Sequence, residues 1–235
     1  MYKDDLRLRY ARQMAVTEIG REGQIKLCGS KVLVVGCGAL GSMVAMQLAG
    51  AGVGHLGLAD YDTVDISNLQ RQFFFTTDDS GKSKVALIAQ RVKDLNPETS
   101  VTVFKELITA AKAEKIIGDY DFIVDATDNP DSKNIIGKIA QQKKKACCIG
   151  GVRNFSGQII TLLPGDARFE EYFGSASADG FMPCSLGGVM GPAAALCASI
   201  QASETIKYLT GAGKLISGSL LTFNLLNNSF RIFQL

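Results

Sequence analysis

The chain has 235 residues, 46% of them hydrophobic and 20% charged, the profile of a globular protein long enough to bury the core of one α/β domain. A formal net charge of +2 selects neither nucleic acid nor an anionic membrane as partner. No apolar run reaches the ~18 residues that span a bilayer, and the opening MYKDDLRLRY has no signal-peptide core, so a cytoplasmic location is expected.

In chain order, residues 6–29 read as helical, with Leu6, Tyr10, Met14, Ile19 and Ile25 spaced for one apolar side. KVLVVG, 31–36, is a β-branched run ending in glycine, the pattern of a buried parallel strand. A helix is predicted over 39–51, a strand over 55–60, and a helix over 82–95 that stops at Asn96-Pro97. SVTVFK, 100–105, alternates as a strand, and a helix follows near 109–117. DFIVDAT, 121–127, is a further strand, then a helix over 131–144 and a strand at ACCIG, 146–150. Lys143-Lys144-Lys145 reads as a solvated helix end. This alternation predicts a doubly wound, mostly parallel sheet.

The last third changes character. GQIITLL, 157–163, is a strand with no helix after it. Residues 165–187 are rich in Gly, Ser, Ala and Asp and predict a long mobile loop. A helix over 188–210 and a hairpin turning at Asn227-Asn228 close the chain. A single domain is expected, with N-terminal helices over 1–30, a nucleotide-binding half over 31–150 and a second half over 151–235.

Three clusters carry chemistry. Gly36-Cys37-Gly38-Ala39-Leu40-Gly41 follows a strand and opens a helix. Glycines there let backbone approach a phosphate, and the helix N-terminus supplies oriented N–H groups. Asp60, ending the second strand, suits ribose hydroxyls. The loop alone is equally compatible with a nicotinamide dinucleotide. The second cluster discriminates: DTVDISNLQRQF, 62–73, places Asn68, Arg71 and Gln72 beyond the second strand, and Lys84 follows in GKSK. A bound dinucleotide has little need of these cations. A nucleoside triphosphate approached by another anion does. The third is Ala126-Thr127-Asp128-Asn129 at the end of the fourth strand. Asp128 there suits Mg²⁺ between phosphates, and the turn also suits a helix N-cap before Pro130. The role of Asp125 stays open. His55, the one histidine, opens a strand and is expected to be structural.

Together with RYARQ (9–13), PCSLGGVMGP and ETIKYLTG, these motifs resemble the ThiF/MoeB/HesA family, bacterial relatives of ubiquitin-activating enzymes, over nearly the whole chain. The resemblance implies a Rossmann-like sheet extended by C-terminal antiparallel strands. It implies ATP and Mg²⁺ as cofactors and a ubiquitin-like sulfur carrier ending in Gly-Gly, of the thiamin or molybdopterin type, as substrate. The carrier carboxylate would attack the ATP α-phosphate, giving an acyl-adenylate and pyrophosphate. By matching position, Gly36, Gly38, Ala39 and Gly41 would cradle the nucleotide, with Asp62, Gln72 and Asn129 lining the same site. Asp60 would bind ribose, Asn68, Arg71 and Lys84 phosphates, and Asp128 Mg²⁺. Arg12 would act across a homodimer. An ionised carboxylate needs no general base, which fits a chain with a single histidine.

Six cysteines form no C-x-x-C pair. Many relatives carry two such pairs around zinc; here the matching region reads DARFEEYFG and no cysteine follows Cys197, so no zinc is expected. Cys184 has two readings, an acceptor of the acyl group or a sulfur adduct, or a plain loop cysteine. No rhodanese-like segment follows, so a separate sulfur donor is expected. The alternative function is dehydration of threonylcarbamoyladenosine on tRNA, which the near-neutral charge and the QRQF continuation disfavour.

Overall fold

The computed structural model describes residues 3–166 and 188–235. The predicted mobile loop lies outside the described residues from 167 onward, and so does Cys184. Eight strands form one sheet in the order β3-β2-β1-β4-β5-β6-β7-β8. The strands are β1 (Lys31–Val35), β2 (His55–Ala59), β3 (Ser100–Phe104), β4 (Phe122–Asp125), β5 (Ala146–Arg153), β6 (Ser156–Leu162), β7 (Ser219–Asn224) and β8 (Ser229–Gln234). The first five pair in parallel, and β6, β7 and β8 extend them antiparallel. The sheet is therefore Rossmann-like with an antiparallel C-terminal extension, as the motifs imply.

The period-two patterning of the strands sorts side chains onto two faces. Val32 and Val34 of β1 join Val124 of β4 and Cys148 of β5 on one face. Helices α3 (Gly41–Ala51), α4 (Lys84–Leu95) and α7 (Gly191–Thr210) cover it with Val44, Leu48, Ile88, Ala194 and Cys197. Leu33, Val35, Ile123 and Ile149 point the other way. There α5 (Ala110–Ile116) and α6 (Pro130–Gln142) bury Ala113, Ile116, Ile136 and Ile139 against them. That second core ends at Ile160 and Leu162 of β6. Farther along the same face the strands are polar: Arg153, Ser156, Asn224 and Ser229 stand in register, and so do Gln158, Thr222 and Arg231. The buried apolar stripe ends where the described helices α5 and α6 end against the sheet.

The N-terminal stretch is two helices, α1 (Lys3–Met14) and α2 (Gly20–Gly29), broken before Gly20 at φ +55°. The break re-phases the apolar side. Leu27 is fully buried, whereas Ile25, expected inward, is 61% exposed. Helix α1 is held by Tyr10, whose hydroxyl accepts a bond from Asn96 Nδ2 at 2.7 Å. The lysine run follows the end of α6, with Lys143 paired to Glu114 at 2.9 Å. His55 packs at the start of β2: Nδ1 lies 2.8 Å from Ser100 Oγ and the ring stacks on Tyr120. No helix among the described residues is long and apolar enough to cross a membrane.

Candidate active site

The glycine loop is built by close backbone approach. Gly36 sits at φ +91°, donates its N–H to Ala59 O at 2.8 Å, and packs against the end of β4. A Cβ at Gly36 would lie 2.8 Å from Ala126 O, and one at Gly41 only 1.7 Å from Gly36 O. Both positions therefore require glycine. Ser42 fastens the first turn of α3 by donating its hydroxyl to Gly38 O at 2.7 Å. Helix α3 begins at Gly41 rather than at residue 39, and Gly38, Ala39 and Leu40 face the cleft beyond β1.

Asp60 stands at the end of β2 and organises this loop. Its Oδ2 accepts the Cys37 N–H at 2.6 Å and its Oδ1 the Asp62 N–H at 2.7 Å. Burial raises its carboxyl above the ordinary 3.8, and the two backbone N–H groups and Lys84 pull the other way. Each oxygen keeps a lone pair for a ligand hydroxyl.

The second cluster folds around a short 3₁₀ turn, Ile66–Asn68. Asp65 caps it by accepting the Ser67 N–H, while Asn68 Oδ1 accepts the Asp65 N–H in return, a reciprocal capping box. Arg71 leaves the turn with one guanidinium nitrogen bonded to Ser67 O at 2.9 Å. Gln72 is buried, with its amide beside Gly38 and Oε1 without a hydrogen-bond partner among the described residues. Lys84, the first residue of α4, is 6% exposed and pairs with the half-exposed Asp62 at 3.1 Å. Asp62 thus holds a cation at the cleft.

At the end of β4 the two possible roles of the turn separate. Asn129 is the N-cap of α6, accepting the Asp131 N–H at 2.8 Å, and Pro130 takes the first helical position. Asp128 is left exposed, and no described side chain donates a hydrogen bond to it. Its free carboxylate is a hard oxygen donor of the kind Mg²⁺ selects. Asp125 is fully buried and shapes the turn, accepting both the N–H and the hydroxyl of Thr127, at 2.9 and 2.7 Å. The sequence did not single out Lys133, buried beside Asp125, or Asp65 in its capping role.

These groups line one cleft of about 1040 Å³, at the top of the range for ligand pockets. Gly36, Gly38, Ala39, Asp60, Asp62, Asn68, Arg71, Gln72, Lys84, Asp128 and Asn129 all border it. Gly41 lies behind the loop. The cleft runs on along the polar face, past Gln158, Thr222 and Arg231. Arg12 is exposed on α1 and is not among the cleft residues of its own chain. Cys37, Cys147, Cys148 and Cys197 are buried thiols and Cys28 is exposed. Burial pushes the Cys197 thiol up to about 12.

Two curated relatives match almost all of this chain. A probable molybdopterin-synthase adenylyltransferase of Gracilaria tenuistipitata var. liui is 38% identical over 97% of this chain and 64% of its own length. A sulfur carrier protein adenylyltransferase of Thermus thermophilus is 36% identical over 95% of this chain and 85% of its own. The chain thus spans less than two thirds of the Gracilaria relative, and half of some longer ones. Among solved structures, the crystal structure of PaaA superposes with a TM-score of 0.84 at 27% identity, covering 99% of this chain and 74% of that one. The model of the ThiF family matches residues 10–235, and the chain belongs to that family.

Proposed function

We propose that this protein is an ATP-dependent adenylyltransferase that activates the C-terminal glycine carboxylate of a ubiquitin-like sulfur-carrier protein. The observation that carries the reading is the convergence of a glycine loop, a ribose-type carboxylate, two cations and a free carboxylate on one cleft that continues along a sheet face on which no described helix packs. The names of the two curated relatives, an adenylyltransferase for molybdopterin synthase and one for a sulfur carrier protein, support the same substrate class.

ATP lies with its ribose on Asp60 and its phosphates between the glycine loop, Asn68, Arg71 and Lys84. Arg71 and Lys84 screen the triphosphate so that a second anion can approach. The carrier tail runs over the face of β6 to β8, where Gln158, Thr222 and Arg231 offer polar contacts. Its terminal carboxylate oxygen bonds to the α-phosphorus, the bond from that phosphorus to the bridging β-oxygen breaks, and pyrophosphate leaves with that electron pair. No proton moves, so no base is needed. Asp128 would hold Mg²⁺, which supplies neutralisation of the pyrophosphate charge. Strand β8 is an edge with exposed Phe230, Ile232 and Phe233 at 57%, 62% and 47%, a surface suited to the folded part of a protein substrate. Arg12 completes the site of a second copy in a homodimer. Cys184, outside the described residues, keeps both readings, an acceptor of the acyl group or a sulfur adduct or a plain loop cysteine, and sulfur comes from a separate donor.

ATP–pyrophosphate exchange with Mg²⁺ tests the reading. Exchange is expected only when a Gly-Gly-ending carrier is present, and Arg71→Ala or Asp128→Ala is expected to lower it on the order of 1000-fold with the fold intact. Near-wild-type exchange in either variant would remove that residue from the site.

A further inference from the structure

Lys133 stands on α6 within the buried stripe that continues as Ile136, Ile139 and Ala140. It is 5% exposed, and its ammonium donates to Gly150 O at 2.7 Å and lies 3.4 Å from Asp125 Oδ1. Asp125 is wholly buried at the end of β4, and the same oxygen holds the N–H and hydroxyl of Thr127. Its other oxygen, Oδ2, has no hydrogen-bond partner among the described residues. Gly150 is pinned from the opposite side: a Cβ there would lie 2.6 Å from the Gln201 side-chain amide. Gln201 in turn donates to Asp125 O at 2.9 Å. One buried ammonium therefore joins the backbone of β5 to the side chain that ends β4. Asp125 begins the turn that ends in Asp128, and Gly150 begins the part of β5 that borders the cleft as Gly151, Val152 and Arg153.

A buried lysine–carboxylate pair is a poor source of stability, because stripping both charges of water offsets their attraction. Fixing geometry is a use that such a pair can serve. The bond to the carbonyl is short and the contact to the carboxylate long, so the ammonium is anchored on β5 and steers the turn from there.

We infer that Lys133, paired with Asp125, is a positioning residue that locks the Thr127–Asn129 turn to β5 and so keeps the Asp128 carboxylate in register with the strand that borders the incoming carrier tail. The inference rests on the adenylyltransferase reading. Lys133 borders the cleft, but its ammonium is spent on Gly150 O and Asp125 rather than on a ligand in this role. It acts on the alignment of the two, where an error near 1 Å costs on the order of 100-fold in rate.

The test uses the full chain, ATP, Mg²⁺ and the carrier that supports exchange. Lys133→Met is expected to lower kcat for exchange about 100-fold, while the directly measured Kd for ATP without carrier stays within about threefold. Lys133→Arg, which can still reach the carbonyl, is expected to recover at least about tenfold of that loss. The loss should vanish against Asp128→Asn: the double variant is expected within about threefold of Asp128→Asn alone, because a steering residue has nothing left to steer. If Lys133→Met melts, the double variant Lys133→Met/Asp125→Asn removes both buried charges and is read the same way. Wild-type kcat in a folded variant, or losses that multiply with Asp128→Asn, would overturn the inference. No exchange in the wild type with any carrier would overturn the adenylation reading and this role with it, whereas exchange that Lys133→Met matches overturns only the role of Lys133.

Discussion

The carboxylate of Asp60 accepts the N–H of Cys37 at 2.6 Å, so the residue suited to the ribose also holds the loop suited to the phosphates. In the proposed reading the two halves of a nucleotide would meet one hydrogen-bonded unit. The bond joins the end of β2 to the first turn beyond β1, across adjacent parallel strands.

Asp60→Asn replaces one carboxylate oxygen by an NH2, which cannot accept a backbone N–H. ATP affinity is expected to fall roughly tenfold to hundredfold, the worth of a hydrogen bond to a charged group, by direct titration. The wild type also carries a pH signature. Burial raises the Asp60 carboxyl above 3.8 in the folded state, so as pH falls it takes up a proton earlier than in the unfolded chain. Protonation there favours the fold, and it removes an acceptor from the ligand. Acidification should weaken ATP binding more in the wild type than in Asp60→Asn, the comparison cancelling the titration of ATP itself. Parallel losses in both proteins would show that Asp60 is not the titrating group.

Gly41→Ala places a methyl 1.7 Å from Gly36 O, backbone against backbone. The loop must open, at an expected cost of about 2–3 kcal/mol in denaturant unfolding. Gly29→Ala, at the end of α2 with nothing within 4 Å of its Cβ, is the control and should be neutral or slightly stabilising. Equal effects at the two sites would contradict the described loop.

Cysteine labelling tests the packing. Brief alkylation of the native protein near pH 8 is expected to modify exposed Cys28 and to spare Cys37, Cys147, Cys148 and Cys197, whose thiols burial raises. After unfolding, all should react, as peptide mass spectrometry will show. Rapid native labelling of Cys147 or Cys148 would mean that β5 is not central in the sheet.

The parallel strands and the glycine loop were legible because their signals are local. A short β-branched run, a glycine that needs positive φ and a helix with small residues leave marks within a few positions. The break between α1 and α2 was hidden, since apolar spacing continues across Gly20 with only a change of phase, and Leu27 takes the inward place given to Ile25. Asp128 and Asn129 shared two possible duties in the sequence; geometry gives the capping duty to Asn129, which has the extended backbone of an N-cap. Lys133 was missed because a lysine on a helix ordinarily reads as solvated. Its spacing to Ile136 and Ala140 on the buried face of α6 was the available signal, but its partners Asp125 and Gly150 come from two other strands. The polar rungs of β6 to β8 likewise depend on strand register, which the sequence does not display.

The measurement that bears most directly on the account is pyrophosphate exchange driven by one carrier in two forms, with its C-terminal Gly-Gly intact and with the last glycine removed. The account predicts exchange with the intact tail and loss on the order of 100-fold on truncation, because the carboxylate no longer reaches the α-phosphate between Arg71, Lys84 and Asp128. Equal exchange with both forms, or exchange driven by a small carboxylate with no carrier present, would contradict it.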